Sequence, residues 1–134
     1  MKIRCISNKG TGLTSRYICV EGGYHSGTSF KGLTFGKEYN VYAVGFRNNE
    51  AWFYICDDNF IDSPRKYPEC LFEEVDKSLA SDWTWSHYED NEDQTYFLAP
   101  SFWGEDEYFF EKLIDSDENA VAKFFQFKEI VDSE

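Results

Sequence analysis

Leu33-Thr34-Phe35-Gly36-Lys37-Glu38-Tyr39-Asn40-Val41-Tyr42-Ala43-Val44-Gly45-Phe46, then Arg47-Asn48-Asn49-Glu50, then Ala51-Trp52-Phe53-Tyr54-Ile55-Cys56, is the stretch that decides the fold class. Tyr39, Val41 and Ala43 alternate with Glu38, Asn40 and Tyr42, the period of a strand with one buried face. The polar Arg47–Glu50 link is the length of a hairpin connection, and the aromatic-rich run after it suits a return strand. Residues 33–35, 37–46 and 51–56 are therefore expected as consecutive antiparallel strands. Tyr39, Val41 and Phe53 or Ile55 should point inward.

On the N-terminal side lie a short β-rich run at 2–6, a glycine-bearing turn at 8–14, an apolar run at 16–20 and a Gly/Ser-rich loop at 22–32. On the C-terminal side, 57–66 is polar, carries Pro64 and reads as a loop. Residues 67–75 regain strand or short-turn character around Pro68, and 78–82 reads as a linker. Trp83 and Trp85 flank Thr84 and so share one side of a strand. Residues 87–94 form an acidic turn, and 95–99 a return strand.

The tail is helical. Residues 105–114 follow Gly104 with acids in the first turn, where the helix dipole favours them. Ser116 is the expected N-cap of a helix over 117–131. Ala120, Phe124, Phe127 and Val131, at offsets of four, three and four, make its apolar face. The expected class is mainly β with C-terminal helices (α+β). A five-stranded small barrel spans residues 1–77. A hairpin and two helices at 78–134 pack onto it as one compact unit.

The chain has 134 residues, is 19% aromatic and carries a net charge of -12. That richness in aromatics argues for a packed core despite the charge. Residues 1–66 hold 9 basic and 6 acidic residues, a net +3, and residues 67–134 hold 4 and 19, a net -15. An acidic half of this kind repels nucleic acid and anionic membranes and suits a cationic partner. The simpler reading is that it keeps an aromatic-rich domain soluble. No apolar run is long enough for a signal peptide or a membrane span, which points to the cytoplasm and to thiols at Cys5, Cys19, Cys56 and Cys70.

The strand motifs carry a resemblance. The opening Lys2–Ile6 run, Leu33-Thr34-Phe35-Gly36-Lys37-Glu38-Tyr39-Asn40-Val41, the strand ending in Asp57-Asp58, and Tyr67-Pro68-Glu69-Cys70-Leu71-Phe72-Glu73-Glu74-Val75 occur in the right order. Over about its first 75 residues the chain resembles small bacterial and phage proteins that form a Src-homology-3-like barrel. Its insertion at residues 7–32 is longer than is typical of them. That resemblance implies a barrel and says little about function. Leu113-Ile114-Asp115, followed by Asp117, Ala120, Val121 and Phe124 in an Asp-x-x-Ala-Val-x-x-Phe helix, is similar to the C-terminus of acidic immunity proteins from polymorphic-toxin and contact-dependent inhibition loci. This second likeness implies a protein that binds and neutralises a cognate toxin.

Catalytic patterns are thin. The cysteines are widely spaced and His25 and His87 stand alone, unlike the paired ligands of zinc sites, so no metal or cofactor is expected. Ser26 beside His25, or Cys56 with either histidine, lacks a supporting pattern for nucleophilic catalysis. Asp57-Asp58 reads as a strand end rather than a paired-carboxylate site, and Gly10-Thr11-Gly12 lacks the rest of a phosphate loop. Tyr17, Tyr24, Tyr39, Tyr42, Phe46, Trp52 and Tyr54, with Lys31, Lys37, Arg47, Arg65 and Lys66, could stack and neutralise a nucleic acid, or could be barrel core with a solvated rim.

What remains is an acidic cluster, Glu89, Asp90, Glu92, Asp93, Glu105, Asp106 and Glu107, flanking the aromatic segment that holds Tyr96 and Trp103. Aromatic anchors inside a charged rim are the anatomy of a protein interface, and solvated acids over a core segment are the plainer alternative. The expected function is non-enzymatic protein binding, most sharply by an immunity or antitoxin protein whose acidic surface blocks a basic toxin domain. The alternative is a phage or mobile-element accessory protein that meets nucleic acid through its barrel.

Overall fold

A computed structural model describes residues 1–13, 27–47, 50–79, 82–90 and 93–133. The chain is α+β, mainly β with C-terminal helices. Its strands are β1 (Lys2–Cys5), β2 (Glu38–Asn40), β3 (Ala43–Arg47), β4 (Glu50–Ile55), β5 (Arg65–Pro68), β6 (Phe72–Asp76), β7 (Trp83–Asp90) and β8 (Asp93–Pro100). Helices α1 (Ser101–Gly104), α2 (Phe109–Ile114) and α3 (Glu118–Asp132) follow. A 3-10 turn, Glu69–Leu71, joins β5 to β6. The strands form two antiparallel sheets, ordered β2-β1-β6 and β5-β4-β3-β8-β7.

Three layers result. One apolar cluster lies between the sheets, with Ile3, Cys5, Tyr39, Val44, Phe53 and Phe72 among its members. A second joins Tyr42, at the crossing before β3, and Ala43, Tyr54 and Ala99 of the larger sheet to Trp103, Phe124 and Phe127 of the helices. The inward positions Tyr39, Val41, Phe53 and Ile55 are all buried. The helix stripe is as the spacing predicts, since Ala120, Phe124, Phe127 and Val131 are the buried residues of α3.

Several expectations are corrected. Residues 33–35 form a turn rather than a strand, closed by the Lys37 N–H donating to the Thr34 carbonyl at 3.1 Å, with Gly36 at φ 83°. The expected strand over 37–46 breaks at Val41–Tyr42, where the chain passes from one sheet to the other. Alternation slips there. Val41 joins the first cluster, while Tyr42 and Ala43, consecutive residues, both join the second. Tyr42 is thus buried under helices that local alternation could not foresee. The apolar run at 16–20 lies outside the described residues.

The ladders do not close into a barrel among the described residues. β8 takes the second edge of β3, pairing Val44 with Leu98 and Phe46 with Tyr96, so the larger sheet grows sideways. The hairpin therefore joins the sheet by backbone hydrogen bonds rather than resting on a finished barrel. At the tail, residues 101–104 are already helical and 105–108 form a link. The Asp106 carboxylate accepts the Tyr108 N–H at 3.1 Å, a local bond that competes with continuous helix. Ser116 is not the cap of α3. It stands at φ 59°, and Asp117 caps instead, its carboxylate accepting the Ala120 N–H at 2.9 Å.

Asp132, at the end of α3, ties the helix layer to the strand crossing. It accepts the Tyr42 hydroxyl at 2.7 Å and the Asn40 amide at 2.9 Å, and Lys128 donates to its other oxygen. Burial alone would raise its pKa, but the bonds from Lys128, Tyr42 and Asn40 outweigh it and hold the carboxyl below its usual range. A depressed carboxyl adds stability above its unfolded pKa of about 4 and loses it as pH falls through the folded value. Tm should therefore fall less steeply with acid in Asp132→Asn than in the wild type, measured by melts from neutral pH to about pH 3. Parallel curves would show that the Asp132 contacts carry no net stability.

Candidate protein-binding surface

The alternation of β7 places Trp83, Trp85 and His87 on one face of the larger sheet, opposite Pro100, Leu98 and Tyr96 of β8. Beside β3 and β4 this face is covered by the smaller sheet, but toward β7 it is open. Trp85 is 64% exposed and Tyr96 42%. Their neighbours organise them. The His87 and Tyr96 rings stack at 4.4 Å and 9°, and Trp85 lies 5.7 Å from Phe46. Two shallow grooves flank this strip. One, of about 390 Å³, is lined by Trp85, Ser86, His87 and Tyr96. The other, of about 360 Å³, runs over Phe46, Leu98 and Leu79, with Glu69, Glu74 and Lys77 among its polar lining.

The sequence-predicted cluster is divided by this geometry. Glu89, Asp90 and Asp93 sit at the turn end of the β7–β8 hairpin, in the register Glu89–Gln94 and Asp90–Asp93. Glu92 lies outside the described residues. Tyr96 belongs to the open face. Trp103 does not. It is 2% exposed and packs edge-on to Tyr54 and Phe124, so it is core rather than a surface anchor.

Glu105, Asp106 and Glu107 lie in the α1–α2 link, on the helix side of the sheet. Their charges bear on Tyr88, which alternation puts opposite Trp85 and His87. Asp106 is bonded to Lys112 at 2.7 Å, the first of the causes that lower its pKa. Trp85 and His87 were not among the expected protein-binding residues, and Phe46 entered only as a stacking candidate for nucleic acid. The Trp83–Trp85 alternation marked a shared face, but which face stays open depends on β8 pairing with β3, a contact with no local sequence signature.

Other candidates resolve as structure. Tyr39, Tyr42 and Tyr54 are buried, so they offer no stacking face to a nucleic acid, while Tyr17, Tyr24, His25 and Ser26 lie outside the described residues. Lys66 sits over Trp52 at 5.2 Å. Burial pushes the Cys56 thiol up to about 12, the opposite of an activated nucleophile. The Asp57-Asp58 pair is engaged internally. Asp57 accepts the Asn59 and Phe60 N–H groups and the Tyr67 hydroxyl, and Asp58 accepts from Thr34, Lys37 and Tyr39.

Among the described residues no group of three or more His, Cys, Asp or Glu is placed to hold a metal ion, and no helix is long and apolar enough to cross a membrane. Compared with protein-family models, with curated proteins and with solved structures, the chain matches none.

Proposed function

We propose that this chain is a non-enzymatic binding protein of the immunity or antitoxin type, which neutralises a basic toxin domain by seating it on the open face of β7 and β8. The observation that carries the reading is the exposed Trp85 beside the stacked His87–Tyr96 pair, large rigid aromatics left uncovered on an ordered sheet. The acidic hairpin end and the net -15 of residues 67–134 supply the rim and the field for a cationic partner.

Association kinetics with the cognate partner, captured from the native host, test it. Trp85→Ala should leave the free protein folded and speed dissociation by roughly 30- to 700-fold, the effect of removing an anchor worth about 2–4 kcal/mol. Reversing Glu89, Asp90, Glu92 and Asp93 to Lys should slow association and flatten its salt dependence. A salt-independent rate untouched by these changes would refute the proposal. Retention of single-stranded DNA or RNA at physiological salt would favour the nucleic-acid reading instead.

A further inference from the structure

A different surface combines exposed aliphatic side chains with acid. The 59–65 loop and the α2–α3 junction enclose an open groove of about 480 Å³, lined by Phe60, Ile61, Ile114 and Val121. Ile61 is 66% exposed and Ile114 50%, and neither belongs to either core cluster. Both walls are held in place. On one side Asp57 accepts the N–H groups of Asn59 and Phe60 at 2.9 and 2.8 Å. On the other, Ser116 at φ 59° turns the chain between the helices, and the Asp117 N–H donates to the Lys112 carbonyl at 2.9 Å. A site with prefixed walls loses little entropy on binding.

Acids outnumber cations around this groove. Asp62 lines it, Asp115 and Asp117 flank its lining residue Ser116 in sequence, and Glu118 opens α3 just beyond. Arg65 is the cation of the lining, and it is used internally: its guanidinium stacks over Phe60 at 4.1 Å and donates to Ser63 Oγ and the Pro64 carbonyl. Lys112, nearby in α2, is bonded to Asp106, and Lys128 of α3, whose charge reaches Asp62, is paired with Asp132. A second copy of this chain would bring its own net charge of -12 against these acids, and a nucleic acid would bring phosphates.

We propose that this groove is a second docking site, which takes a cationic amphipathic peptide segment of a partner protein. Aliphatic residues of the segment lie on Ile61, Ile114 and Val121, and its Lys or Arg side chains meet Asp62 and Glu118. The site uses none of the residues of the β7–β8 face and stands whether or not that face binds a toxin.

The test uses the full chain and three labelled synthetic peptides: leucine and lysine at helical spacing, leucine and glutamate at the same spacing, and lysine with serine in place of leucine. Fluorescence anisotropy should show binding of the leucine–lysine peptide only, with amide shifts in NMR confined to the 59–65 loop and the α2–α3 junction. Ile114→Lys and Val121→Lys, at exposed positions, should each weaken it about tenfold or more while the melt stays near wild type. Asp62→Lys with Glu118→Lys should weaken it and reduce its salt dependence, and Trp85→Ala should change nothing.

Four results would each overturn the assignment. They are equal binding of the lysine–serine peptide, binding indifferent to Ile114→Lys and Val121→Lys, binding lost in Trp85→Ala, and a dimer of this chain dispersed by Ile114→Lys.

Discussion

Phe124→Ala lowers the unfolding free energy by about 3–5 kcal/mol, the cost of truncating a buried phenylalanine in a core that cannot collapse around the gap. Phe124 is 1% exposed and sits edge-on to Tyr42 at 5.3 Å and to Trp103 at 6.2 Å. Its ring bridges the strand crossing, the helix after β8 and α3, so the cavity opens where three parts of the chain meet. Trp103→Ala should cost a similar amount for the same reason. This pair separates two accounts of the tail. If α3 were a loose arm awaiting a partner, a urea titration of Phe124→Ala would overlay the wild type. If Trp103 were an interface anchor, its truncation would leave the free protein intact.

The C-terminal stripe was legible because a helix writes its buried face locally. Phe124 and Phe127 are three apart and share a face by geometry alone. The hairpins were legible for a similar reason, since polar links between alternating runs leave few other pairings. What escaped is non-local. The register of Val44 against Leu98 spans more than fifty residues and fixes three things that no local pattern holds. It leaves the larger sheet unclosed, buries Trp103 beneath the helices, and leaves Trp85 outside although Trp83 on the same face is partly covered.

Ser116 and Asp117 show a finer limit. Both are good caps by type, and the choice between them rests on which residue takes the left-handed turn that α2 leaves behind. The candidate site was half legible for the same reason as the fold: Tyr96 was found from aromatic content, but its partners Trp85 and His87 depended on the sheet order.

Gly32→Ala is expected to be nearly as costly, at about 2–5 kcal/mol, although it adds a single methyl group. A Cβ at position 32 would lie 2.7 Å from Asp57 Oδ2 and 2.8 Å from the Tyr67 hydroxyl, closer than real contacts allow. Neither neighbour is free to retreat. Asp57 is 4% exposed, and its other oxygen holds two backbone N–H groups. Tyr67 lies on β5 with its ring edge-on to Phe30 and Phe72. The methyl group therefore separates the Tyr67 hydroxyl from the carboxylate, a charge-assisted bond worth about 1.5–3 kcal/mol, and adds overpacking of about 1–3 kcal/mol.

A double-mutant cycle isolates the cause. Tyr67→Phe alone leaves a buried carboxylate oxygen without its donor, yet it removes one of the atoms the new methyl group meets. Gly32→Ala with Tyr67→Phe should then be less destabilised than the two single changes added together. Gly36→Ala is the contrasting case. No atom lies within 4 Å of its Cβ, so only the positive φ opposes it, at about 1 kcal/mol. Equal midpoints for Gly32→Ala and Gly36→Ala would show that the Asp57–Tyr67 contact is slack. Because Asp57 also fixes Asn59 and Phe60, a slack contact would loosen one wall of the acidic groove, so the Gly32 result bears on how far that groove is preformed.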